Sequence, residues 1–179
     1  VVRKKIKRCN ININNLEVRI INAINSGALN CLNNINFNSN ENYIFTGTGG
    51  SFAASMFASI VINTLYGSNT YAMLPRDIKY RNNSRIDKVI LFSYSGTTND
   101  LFEGTKFFNN LNKYIITKGE IQKIVLKTGI SKKNIISYRT SSNKGKERGF
   151  LSFEGAVSPA SIFLNYYLNM KGSNLDINT

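Results

Sequence analysis

Two hydrophobic periods alternate along this chain, and the switches between them mark out its elements. Leu16, Ile20, Ile24 and Leu32, with Ile21 and Ala28 beside them, recur at the spacing of one helix face, which predicts an amphipathic helix over about residues 14–34. A short apolar run at 43–46 then reads as a strand, and 52–65 as a helix with small residues Ala53, Ala54 and Ser55 on its first turn. Gly67 and Asn69 break the chain, a strand follows at 70–74, and Pro75 closes it ahead of a polar loop over 76–85. The rest predicts a strand at 88–92, a helix at 99–111, a strand at 113–117, a helix at 120–127, a strand at 134–138 and a last helix at 153–170.

Strands that alternate with helices at this spacing form parallel βαβ units with right-handed crossovers. The expected fold is therefore α/β, a doubly wound five-stranded parallel sheet in the order 2-1-3-4-5 with helices on both faces. Such an order reverses between strands 1 and 3, and ligands of open α/β sheets bind in the crevice that this reversal opens at the carboxyl ends of the strands.

Both of those strand ends run into hydroxyls and glycine. Val89 to Phe92 is apolar throughout, as suits a strand covered on both faces, and it empties into Ser93-Tyr94-Ser95-Gly96-Thr97-Thr98 at the entrance of a helix. Free N–H groups of a first helical turn, the positive end of the helix dipole and short hydroxyl donors converge there, and Gly96 lets backbone come close. An anion such as phosphate suits that turn. Simple N-capping is the competing explanation, but four hydroxyls in six residues exceed what a cap needs. Upstream, Gly47-Thr48-Gly49-Gly50-Ser51 leads from the first strand into the second helix. Its glycine spacing is wrong for a dinucleotide fingerprint, no Gly-Lys-Ser/Thr makes it a Walker loop, and what remains is a tight turn in which Gly49 and Gly50 present Ser51 at a helix N-terminus.

A length of 179 residues with 42% hydrophobic composition suits one globular domain with a substantial core. No apolar run is long enough to span a membrane, and the basic residues at 1–8 are not followed by the apolar core of a signal peptide, so a cytoplasmic protein is expected. Cys9 and Cys31 sit in unlike contexts and the chain holds no histidine, which excludes a zinc site and speaks for thiols rather than a disulfide; no metal or cofactor is expected. The net charge of +13 includes Arg3, Lys4, Lys5, Lys7 and Arg8 in a cluster ahead of the fold. Elsewhere the charge is scattered and no nucleic-acid-binding motif accompanies it, so specific nucleic-acid binding is not expected, whereas attraction of small anions is. The organisation read from the sequence is a basic segment at 1–13, the α/β domain at 14–170 and a tail at 171–179.

A G-x-G-G-S turn ahead of a small-residue helix, then an S-x-S-G-x-T turn after a buried strand, resembles the SIS (sugar isomerase) domain family of phosphosugar isomerases and phosphosugar-binding regulators. The resemblance covers about residues 14–170. It implies that Ser51, Ser93, Ser95 and Thr98 take the phosphate of a sugar phosphate, with the Tyr94 backbone amide assisting. It also implies that Glu147, in an E-x-G-hydrophobic-x-S setting, is the base of an aldose-ketose isomerase moving a proton between C1 and C2, with Glu154 as second choice. The absence of histidine departs from the family, whose members commonly use one to open the sugar ring. An open-chain substrate, substitution by Lys144 or Lys146, binding without turnover, or a partner domain that supplies the group would each account for it. Binding without turnover makes the domain a phosphosugar-sensing regulatory module. A homodimer or larger homo-oligomer is expected, with the first and last helices in the interface, because Phe150, Phe153, Ile162, Phe163, Tyr166 and Tyr167 crowd the C-terminal helix.

Overall fold

The computed structural model describes residues 16–80, 85–106, 112–140 and 154–173. Two short helices, α1 (Leu16–Ile24) and α2 (Ala28–Asn33), stand where one long helix was expected. Gly27 divides them by taking the left-handed conformation with φ 78°, so the apolar stripe continues across a break that periodicity does not register. The remaining elements are β1 (Asn42–Gly47), α3 (Gly50–Tyr66), β2 (Asn69–Met73), β3 (Lys88–Phe92), α4 (Asn99–Lys106), β4 (Asn112–Thr117), α5 (Ile121–Thr128), β5 (Ile135–Ser137) and α6 (Glu154–Met170). The polar stretch after Pro75, expected as a loop, is a 3₁₀ helix, Pro75–Tyr80, with Ile78 fully buried. The segments expected at 1–13, 107–111 and 174–179 lie outside the described residues.

The five strands are parallel and ordered β2-β1-β3-β4-β5, as the alternation of periods predicts. Alternate residues of β3 serve opposite faces. Ile90 and Phe92 join a core with Tyr43, Phe45 and residues of α1, α2, α3 and α6, while Val89 and Leu91 join a second core with Ile44, Ile78, Ile115 and Ile124. Aromatic rings fill the first core, with Phe92 5.7 Å from Phe163 and Phe37 5.3 Å from Tyr43 between ring centroids. Cys31 is partly buried against it.

The amino end of β3 is closed by a lysine. Lys88 is buried, and its ammonium donates to the carbonyls of Ile35 at 2.9 Å and Asn36 at 3.1 Å and to Glu41 at 2.5 Å. All three of its protons are thereby used, which is what a buried ammonium requires.

One expectation is corrected. Ile162, Phe163 and Tyr166 do not await a partner: all are buried in this chain's own core, and Tyr166 shares a 2.6 Å hydroxyl contact with Tyr66. The large apolar side chains left exposed include Val18, Met56, Ile60, Leu164 and Met170. Phe150 and Phe153 lie outside the described residues.

Candidate functional site

Gly47, the last residue of β1, stands in register with Phe92, the last residue of β3, so both hydroxyl turns begin side by side at the carboxyl edge of the sheet. On the β1 side, Gly49 precedes α3 with φ 57° and ψ −130°, and Gly50 and Ser51 open the helix. The Ser51 N–H donates to the Thr48 carbonyl at 3.2 Å. Its side chain is nearly buried, and its hydroxyl makes no hydrogen bond among the described residues.

On the β3 side, the hydroxyls partly organise the turn itself. The Gly96 N–H donates to the buried Ser93 hydroxyl at 3.0 Å, and the Thr97 N–H and hydroxyl both lie 3.2 Å from the exposed Ser95 hydroxyl. The capping explanation thus accounts for two acceptor roles. It leaves the hydroxyl hydrogens of Ser93 and Ser95 to donate elsewhere, sharpened by the bonds their oxygens accept. Thr98 is exposed just ahead of α4, and its hydroxyl has no partner among the described residues. Gly96 is also required by packing: at φ 67° a Cβ would run into the Ile124 side chain of α5 and stand 3.1 Å from the Thr117 hydroxyl, so the missing side chain makes room for α5.

The end of β4 buttresses this turn. Ser93 N–H donates to the Ile116 carbonyl at 3.1 Å, Lys118 N–H to the Tyr94 carbonyl at 3.2 Å, and the Thr117 hydroxyl to that same carbonyl at 3.4 Å. Tyr94 carries the connection onward through its side chain. Its hydroxyl donates to Glu154 at 3.1 Å and accepts from the Lys118 ammonium at 3.3 Å. Glu154, the first residue of α6, is fully buried and also takes Lys118 at 2.9 Å and Arg19 of α1 at 3.2 Å. Burial pushes its carboxyl up, but the Thr140 hydroxyl nearby, the hydrogen bond and charge of Lys118 and the hydrogen bond of Tyr94 outweigh that and hold it below its ordinary value. A carboxylate so held is a poor proton acceptor. Glu154 is an anchor that joins α1, β4, α6 and the hydroxyl turn.

Ser51, Ser93, Tyr94, Ser95 and Thr98 therefore lie at the neighbouring ends of β1 and β3, as their places in the sequence predict. Glu147 lies outside the described residues, as do Lys144 and Lys146. Sequence reasoning missed Arg19, Thr117 and Lys118. Thr117-Lys118-Gly119, a polar break after an apolar strand, is the signal that marks the last two.

No protein-family model and no curated protein matches the sequence. Solved structures do. The C-terminal domain of glucosamine-fructose-6-phosphate aminotransferase from Francisella tularensis superposes with a TM-score of 0.66 at 18% identity, over 94% of this chain and 49% of that one. Tagatose-6-phosphate ketose/aldose isomerase from Escherichia coli gives 0.60 at 18% identity, over 88% of this chain and 46% of that one. The sugar isomerase domain of the RpiR transcription factor from Sphaerobacter thermophilus gives 0.56 at 14% identity, over 93% of this chain and 95% of that one. The chain has the sugar isomerase (SIS) fold. It spans about half the length of the first two of these proteins and nearly all of the third. Within the SIS fold, the crevice between β1 and β3 is where the sequence places both hydroxyl turns.

Proposed function

We propose that this domain binds a phosphorylated sugar in the crevice between β1 and β3. Ser51, Ser93, Ser95, Thr98 and the Tyr94 amide would hold the phosphate, with Gly49, Gly50 and Gly96 shaping the two turns. The observation that carries this reading is the register of Gly47 with Phe92, which brings together donors that lie more than forty positions apart in sequence. The aminotransferase and isomerase of like fold carry phosphosugars in their names, which supports the same class of ligand. A thermal-shift series tests it. Sugar phosphates should raise the melting temperature and the matching unphosphorylated sugars should not, because a ligand that binds only the folded state stabilises it by mass action. Equal behaviour of both series would overturn the assignment.

Two uses of such a site are compatible with the fold. As an aldose-ketose isomerase the domain needs a base, and that role falls to Glu147, since Glu154 is held as an anion by its donors. As a sensory module it needs none. The lack of histidine favours sensing. Exchange of the C2 proton of candidate sugar phosphates in heavy water, followed by NMR, separates the two without knowledge of the product. The domain acts as a homodimer in this proposal, through the exposed apolar residues of its helical surface, Met56 and Ile60 of α3 among them.

A further inference from the structure

We infer that Lys118 sets the ligand preference of this crevice in favour of phosphorylated sugar acids, by offering its ammonium to a carboxylate at the end of the ligand remote from the phosphate. The inference rests on the phosphosugar reading above and narrows its substrate class.

The chain contains its own standard for a lysine that serves structure alone. Lys88 meets three acceptors, and its side chain is only 8% exposed. Lys118 differs in both respects. Two of its protons go to Glu154 and Tyr94, the third has no acceptor among the described residues, and the side chain keeps 23% of its exposure. A lysine required only to neutralise Glu154 would gain from being closed in as Lys88 is. Its placement also suits a ligand. Lys118 follows β4, and its backbone N–H is bonded to the Tyr94 carbonyl within the hydroxyl turn. One strand spacing, about 5 Å, separates the backbones of adjacent strands, which a chain of five or six carbons spans. The ammonium is steadied rather than loose, because Glu154 and the Tyr94 hydroxyl hold it from one side. A carboxylate at that point makes a charge-assisted hydrogen bond, roughly twice as strong as the bond of a neutral hydroxyl. An aldonic acid carries no carbonyl to isomerise, so this preference agrees with the sensing use of the site.

The test compares 6-phosphogluconate with glucitol 6-phosphate by isothermal titration calorimetry at a fixed ionic strength of about 0.15 M, where long-range attraction by the net charge is largely screened. The two probes share six carbons and one phosphate, and differ in a carboxylate against an alcohol at C1. The wild type should bind the acid about tenfold more tightly or better. In Lys118→Met the ratio should collapse to about one, and in Lys118→Arg, which keeps the charge, it should persist. Equal affinities in the wild type would overturn the inference while leaving the phosphosugar reading intact, and that comparison needs no variant to fold. A preference that survives Lys118→Met would overturn it equally. Binding of neither probe by the wild type would overturn the inference as well, while the thermal-shift series with other sugar phosphates decides the phosphosugar reading.

Discussion

Tyr94 and Glu154 are joined by a 3.1 Å hydrogen bond that ties the hydroxyl turn of β3 to the first residue of α6, sixty positions later in the chain. Local reading of the sequence assigns these residues to unrelated places, one to a turn and the other to a helix start. In the folded protein they share one buried polar cluster with Lys118 and Arg19. Changes in either residue therefore report on both ends of the fold.

Glu154→Gln should be strongly destabilising, by about 3 to 5 kcal/mol, because it strips the shared anion from two cations while leaving them in place. Tyr94→Phe removes two charge-assisted bonds, one to the Glu154 carboxylate and one from the Lys118 ammonium, and should cost at least about 1.5 to 3 kcal/mol. Urea unfolding at pH 7, followed by circular dichroism, measures both. A Glu154→Gln protein as stable as wild type would show that the cluster carries no net stabilisation.

The same residue predicts a pH dependence. The Glu154 carboxyl is held below its ordinary value of 4.5 in the folded state, so the folded form binds its proton less readily than the unfolded form does. Its contribution is fully present above about pH 4.5 and drains away as the pH falls through the lower folded value. Acid titration of stability should consequently slope more gently below pH 4.5 in Glu154→Gln than in wild type.

At the other side of the turn, Gly96→Ala should destabilise by about 1 to 3 kcal/mol, since φ 67° is strained for alanine and Ile124 occupies the space of the new methyl. Trimming the neighbour in a Gly96→Ala, Ile124→Val double variant should recover only part of the loss, because the backbone strain remains. Full recovery would assign the whole effect to crowding.

Replacing Ser93, Ser95 and Thr98 together by alanine should abolish phosphosugar binding at millimolar ligand, with about 1 to 2 kcal/mol lost per hydroxyl bond to the charged phosphate. Ser93 also accepts the Gly96 N–H, so the triple variant should lose some stability as well. Calorimetric titration reads the first effect and thermal melting the second. Wild-type affinity in this variant would remove these hydroxyls from the site.

Met56→Asp with Ile60→Asp should leave a folded monomer. Both side chains are exposed one turn apart on α3, so charge there costs the isolated domain little, whereas charge buried at an interface without a partner is expensive. Light scattering at micromolar concentration compares the masses. A dimer that persists in the double variant would move the interface to another face.

The sheet order and all five strands were legible in the sequence because polar, glycine or proline residues punctuate the strands and because the helices between them read from a clear stripe in α1, α4 and α5 and from a long apolar run in α3. Ser51 and the Ser93 to Thr98 turn were legible for the same reason: their chemistry is concentrated in a few adjacent positions. Arg19 was not, because it is one cation among many in a strongly basic chain and only tertiary contact distinguishes it, while Lys118 stood in a polar break after β4 whose meaning only its contact with Glu154 supplies. Gly27 was missed because the stripe on α1 and α2 stays in phase across it. The aromatic residues of α6 suggested a partner surface only because the sequence does not show that β1, β3 and α3 supply the rings and side chains that cover them.

The two ends of β3 have been left with unequal freedom to change. At the amino end, Lys88 commits every proton to an acceptor within the chain, so any substitution takes the ammonium from the Ile35 carbonyl and the countercharge from Glu41, which keeps the neutral Tyr43 hydroxyl, and that end resists variation. At the carboxyl end, Ser95 and Thr98 stand exposed, and nothing in the core depends on their side chains. A library randomised at those positions would keep the scaffold while sampling new ligands. Descent with new specificities, or deliberate redesign, has its opening at that edge of the sheet.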